Sequence, residues 1–115
     1  MNPFTIAEQL GKLGVDLDKA KDDLGRLENE AIEAEGAFRV KYSKIFRGAA
    51  GSVEDRKQIA IFECDEEWRI WGKAAALVRL QKEHIRALHA RIDVGRTLAS
   101  TARAEASLAQ SGWSP

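Results

Sequence analysis

Residues 16–47 read DLDKAKDDLGRLENEAIEAEGAFRVKYSKIFR, and within them Leu17, Leu24, Ala31, Phe38 and Ile45 recur every seven residues, with Ala20, Leu27 and Ala34 three places further on. Apolar residues at that spacing share one stripe of an α-helix, so the stretch predicts a long amphipathic helix with a coiled-coil-like seam, capped at its start by Asp16. The pattern stops at Gly48-Ala49-Ala50-Gly51-Ser52. Gly48 suits a left-handed C-cap and Ser52 can cap a following helix, so 48–52 predicts a hairpin corner. After it Cys64, Trp71, Val78, Ile85, Ile92, Ala99 and Ala106 repeat at seven, accompanied by Ala74, Leu88, Ala102 and Ala109, with no proline before Pro115. That predicts one very long helix over about 53–110. Upstream, Pro3 suits a first helical turn and Thr5 with Glu8 has capping-box spacing, so a short helix is predicted over about 4–13, ending at Gly14.

The expected fold is therefore all-α: one domain over 1–115, a long antiparallel helical hairpin with a short N-terminal helix, and a flexible tail over 111–115. At about 1.5 Å per residue, a helix over 16–47 spans roughly 48 Å and one over 53–110, even if frayed at its end, roughly 80 Å. The surplus apolar seam predicts a homo-oligomer. Gly25, Gly36, Gly72 and Gly95 lie inside these helical patterns, and each calls for a reason such as close helix approach, because glycine costs about 1 kcal/mol there relative to alanine.

Hydrophobic residues make up 44% and charged residues 31% of the chain, a balance that favours folding over disorder. No apolar run approaches the roughly 20 residues of a membrane-spanning helix, and the N-terminus lacks the basic-then-apolar order of a signal peptide, so a cytoplasmic location without membrane contact is expected. The single Cys64 excludes an internal disulfide and reads as a buried small residue.

Eighteen basic and 18 acidic residues cancel, but the charge is laid down in blocks. Asp16, Asp18, Asp22, Asp23, Glu28, Glu30, Glu33 and Glu35 outnumber Lys19, Lys21 and Arg26 over 16–35. Residues 36–47 reverse the sign, with Arg39, Lys41, Lys44 and Arg47 interleaved with Phe38, Tyr42 and Phe46 and no acid. Over 68–104 eight bases face only Glu83 and Asp93.

Catalytic and metal chemistry find little support. His84 and His89 are five apart rather than on one helical face, no cysteine pair exists, and the acids around Glu63–Glu67 read as a solvated face, so neither a metal nor another cofactor is expected. The corner lacks the lysine and spacing of a P-loop, and a helical hairpin without substantial loops offers no catalytic pocket; the chain reads as a non-enzyme. Two cationic features remain. Arg39, Lys41, Lys44 and Arg47 can track phosphates while Tyr42 or Phe46 stacks on unpaired bases, a pattern suited to single-stranded nucleic acid. The alternative leaves Phe38 and Ile45 in the core and pairs these bases with Glu54, Asp55, Glu63 and neighbouring acids. The second feature is a cationic edge on the last helix, with Lys82, His89, Arg96 and Arg103 at one heptad position and Arg79 and Arg86 on the adjacent row. Arg69 and Lys73 are expected to be neutralised by acids of 22–35, whereas Arg91, Arg96 and Arg103 lie beyond them and either bind an anionic partner or meet another subunit's acidic segment. Trp68 and Trp71 read as seam or subunit-interface anchors.

Over residues 17–108 the chain resembles the UvsY-type recombination mediators of bacteriophages, in particular the short helical forms of phages of actinobacteria. The resemblance is carried by Ala37-Phe38-Arg39-Val40-Lys41-Tyr42, by Gly51-Ser52-Val53-Glu54-Asp55-Arg56-Lys57, and by the run from Arg86 to Leu98. It implies a ring-like oligomer, without cofactor, that binds single-stranded DNA and helps load a RecA-type recombinase in place of single-strand-binding protein. Arg39, Lys41 and Lys44 match the family's basic element, which falls on the same patch; Arg86, Arg91 and Arg96 are further candidate DNA contacts. The competing class is a helical protein-interaction module, a phage adaptor or an inhibitor of a host factor, in which every charge block sets helix pairing.

Overall fold

A computed structural model of the chain describes residues 2–112, and all regular structure among them is helical: α1 (Pro3–Gly48), α2 (Val53–Glu63) and α3 (Asp65–Gln110). Ser111 and Gly112 form a turn; the remainder of the tail predicted over 111–115 lies outside the described residues. Among those residues no helix is long and apolar enough to cross a membrane. The helices contribute to two compact units, one made of residues 2–22 and 82–112 and the other of Asp23–Gln81.

The separate helix expected over 4–13 does not exist. Asn2, rather than Thr5, caps α1: its Oδ1 accepts the Phe4 amide at 2.9 Å, and its carbonyl accepts from Ile6. α1 then runs through Gly11 and Gly14 without a break. Two interior glycines cost about 2 kcal/mol together, whereas burying an aliphatic side chain contributes about 1.5–3 kcal/mol. Ile6 is buried and Leu10 and Leu13 are half-buried on the same stripe as the downstream seam, so packing outweighs glycine's helix penalty. As a result α1 contains 46 residues against 11 in α2 and 46 in α3, and the length mismatch from which an oligomer was expected narrows.

The long helix predicted over 53–110 is interrupted at Cys64, whose φ of −102° and ψ of 13° leave the helical region. Its amide still donates to the Ala60 carbonyl at 3.0 Å, and its own carbonyl accepts from Trp68 at 2.9 Å, so the four-residue hydrogen bonds persist on both sides. The seam itself follows the sequence pattern. Leu17, Leu24, Leu27, Ala31, Ala34, Phe38 and Ile45 are all shielded from full exposure, Ala20, Cys64, Leu88 and Ala102 are buried, and only Ala106 and Ala109 at its end are exposed.

In the first unit Ile6, Ala20, Leu88 and Ala102 are the most buried side chains, and a Cβ built on Gly95 would come within 2.5 Å of Leu10 Cδ2. Gly95 is thus the glycine that close approach explains; Gly25, Gly36 and Gly72 face open space. In the second unit the contacts run in opposite order along the chain: Phe38 with Trp71, Lys41 with Glu67, Phe46 with Arg56. Its corner is capped as expected at Ser52, which exchanges two bonds with Asp55 in a capping box at 3.1 and 3.2 Å. The left-handed residue is Gly51, at φ +107°, rather than Gly48.

Candidate nucleic-acid interface

The last three turns of α1 carry Phe38, Tyr42 and Phe46 four residues apart, which places the rings along one side of the helix with Lys41 half-buried beside them, while Arg39, Lys44 and Arg47 are exposed. The three rings form a ladder with ring centroids 5.8 and 6.4 Å apart. Trp71 closes one end by stacking on Phe38 at 5.5 Å, and the Arg56 guanidinium covers Phe46 at 4.4 Å. Arg56 Nε also donates to the Phe46 carbonyl at 3.0 Å, satisfying an acceptor that the end of α1 would otherwise leave open. Tyr42 and Phe46 are therefore half-buried members of an internal stack. A base reaching either ring would compete with protein neighbours.

The bases divide in the same way. Lys41 Nζ donates to Glu67 Oε1 at 2.8 Å, an ion pair between α1 and α3. The hydrogen bond from Lys41 holds the Glu67 carboxyl below its usual range, and the same bond raises the Lys41 ammonium. Cys64, fully buried nearby, has its thiol pushed up by burial, with Lys41 pulling the other way. Glu67 Oε2 is shielded and accepts no hydrogen bond from the described residues. Of the acids proposed as partners for this basic stretch, Asp55 is the capping residue and Glu54 accepts from Gln58. Arg39 is exposed and pairs with Glu35 one turn back at 2.6 Å. Lys44 and Arg47 are exposed and have no acidic partner among the described residues.

On α3 the cationic edge is neutralised in part by its own helix. Arg86 pairs with Glu83, Arg96 lies 4.0 Å from Asp93, and Arg69 pairs with Asp65 at 2.9 Å rather than with an acid of 22–35. Lys73, expected to be neutralised by that same acidic block, has no ion pair among the described residues, and neither have Arg79, Lys82, Arg91 and Arg103. Trp71 belongs to the seam, whereas Trp68 is 56% exposed and walls a groove with Phe38, Ile61 and Asp65. Three participants went unrecognised in the sequence: Arg56, Glu67 and the seam character of Lys41. Lys41 and Glu67 do carry a signal, since each stands at a seam position, three places after Phe38 and three places after Cys64 respectively. Arg56 has none, because its role arises from the tightness of the corner.

Among the described residues no group of three His, Cys, Asp or Glu side chains is arranged to hold a metal ion. Comparison with known proteins gives no match: no family model fits the chain, and no curated protein or solved structure is similar to it.

Proposed function

We propose that the chain is a single-stranded DNA-binding protein of the recombination-mediator kind. In this reading it is a long antiparallel helical hairpin that assembles with copies of itself, acts by binding rather than catalysis, and assists the loading of a RecA-type recombinase where single-strand-binding protein would otherwise sit. The observation that carries the reading is the pair Lys44 and Arg47, three residues apart on an exposed face of α1 with no acid to neutralise them among the described residues. Assembly is supported by the apolar residues left outside: Ile32, Val40, Phe62, Trp68, Ile70, Leu77 and Leu80 in the second unit are all at least 48% exposed, while Ala60 and Cys64 are its buried apolar residues.

A second reading, the helical protein-interaction module, draws on a different observation. Arg39, Lys41, Arg86 and Arg96 already have acidic partners, and Tyr42 and Phe46 already have stacking partners. If those contacts are their whole purpose, the charge blocks specify helix pairing.

Fluorescence anisotropy of a labelled single strand of about 40 nucleotides, with a matched duplex as control, separates the two. The mediator reading expects the single strand to bind more tightly than the duplex, and Lys44→Ala/Arg47→Ala to weaken that binding without loss of helicity. Absence of binding at micromolar protein would leave the interaction module.

A further inference from the structure

The first unit contains an apolar groove of about 550 Å³, walled by Leu10 and Leu13 of α1 and by Val94 and Leu98 of α3. Among the described residues Arg91 is the one charged residue lining it, and it has no acidic partner. The other cations of this part of α3 differ in an informative way: Arg86 and Arg96 are engaged by Glu83 and Asp93 on their own helix, so the charge left over is concentrated at Lys82, Arg91 and Arg103.

The same unit carries a complementary face. Val15, Asp18 and Asp22, at i, i+3 and i+7, share one side of α1, and all three are exposed, Val15 to 69%. Neither aspartate has an ion pair among the described residues. An exposed valine followed on its side of α1 by Asp18, Lys19 and Asp22, and an aliphatic groove with one guanidinium that has no acidic partner among the described residues, thus occur in one unit without an ion pair between them. Their chemistry is matched: the valine fits the apolar walls, and a carboxylate three residues along the helix fits Arg91.

We propose that this groove docks a second copy of the chain through the Val15–Asp18–Asp22 face of its α1, with Val15 of the second copy seated between Leu13 and Val94 and its Asp18 on Arg91. The proposal rests on the assembly part of the function proposed above and names the contact that makes it. Burial of the valine and of the exposed Val94 supplies apolar area, while the Asp18–Arg91 pair sets orientation and excludes partners lacking an acid at that place.

The test is a charge swap on the full chain in the absence of DNA, read by sedimentation velocity over a range of protein concentration. The wild type self-associates. Arg91→Glu and Asp18→Lys each weaken association by about tenfold or more, because like charges then face each other, and the double variant Arg91→Glu/Asp18→Lys regains it. Val94→Ser, which alters no charge, weakens association as well. Circular dichroism confirms that all four variants remain helical. A wild type that stays monomeric at high concentration overturns the proposal; so do single variants that associate like the wild type, or a double variant no better than its parents. Since no DNA is present, these outcomes are independent of the anisotropy result: swap rescue without DNA binding leaves the dock and removes the mediator reading, and DNA binding without swap rescue does the reverse.

Discussion

The two units solve the problem of holding long helices together by different chemistry. The first is aliphatic and small: Ile6, Leu88 and Ala102 are buried, and Gly95 gives way to Leu10. The second is aromatic and polar, joined by the Phe38–Trp71 stack, the Arg56–Phe46 cap and the Lys41–Glu67 ion pair. Small residues permit approach but say little about register, because each alanine resembles the next. A ring stack and an ion pair at seam positions each have one correct partner, so they fix the alignment. The cations left without an acidic partner among the described residues do not follow this division: Lys44 and Arg47 lie in the second unit and Arg91 in the first, whereas Lys41 of the second and Arg86 and Arg96 of the first are paired.

The largest effects should come from the shared seam. Leu88→Ala, at a side chain 2% exposed in the first unit, is expected to cost about 3 kcal/mol in urea denaturation. Trp71→Ala, which removes the stack on Phe38, should cost a comparable amount in the second. If the contrast between the units is energetic as well as chemical, native-state hydrogen exchange will show protection lost chiefly in the unit that carries each substitution.

The seam was legible in the sequence because heptad spacing survives any local detail. Leu17, Ala20, Leu24 and Leu27 on one side and Leu88 and Ala102 on the other are shielded as the pattern requires. The ends of the helices were less legible. Gly11 and Gly14 signal a stop by propensity, but Ile6, Leu10 and Leu13 continue the apolar stripe, and tertiary burial outweighs propensity. The interruption at Cys64 has no glycine or proline to announce it. For the candidate interface, charge and aromatics marked the correct segment but not the division within it: Tyr42 and Phe46 turn toward a stack whose other members, Trp71 and Arg56, come from distant positions, while Lys44 and Arg47 remain outside. Spacing within α1 defines its faces; only the opposing helix determines which face is covered.

The corner belongs to the second unit and offers an intermediate effect. Ser52→Ala removes the acceptor of the capping box and should cost about 1 kcal/mol. Gly51→Ala should cost about 1–2 kcal/mol, because alanine is strained at φ +107° and its methyl would press on Asp55. Both are read as shifts in the urea midpoint, and neither should alter protection in the first unit if the units respond separately.

The ion pair predicts a pH signature. The folded pKa of Glu67 lies below its unfolded value, so its contribution is present above about pH 4.3 and is lost as pH falls through the folded value. Lys41 is shifted upward, so its contribution is present below about pH 10.4 and is lost as pH rises through its folded value. Glu67→Gln should flatten both limbs of the stability profile relative to the wild type, as measured by urea midpoints across the range.

The smallest effects test the glycines. Gly36→Ala, with open space at the built Cβ, should stabilise by up to about 1 kcal/mol, whereas Gly95→Ala should lose that gain to the Leu10 contact. Equal stabilisation by both would remove close approach as the distinguishing feature of the first unit.

The most direct test of the functional account is the salt dependence of single-strand binding by the wild type and by Lys44→Ala/Arg47→Ala. Each phosphate contact on a single strand contributes about 0.7 to the slope of log affinity against log salt, so loss of both cations should make that slope shallower by about 1.4. That change, with helicity intact, is the predicted result. An unchanged slope, or a wild type that does not bind the single strand, would contradict the account.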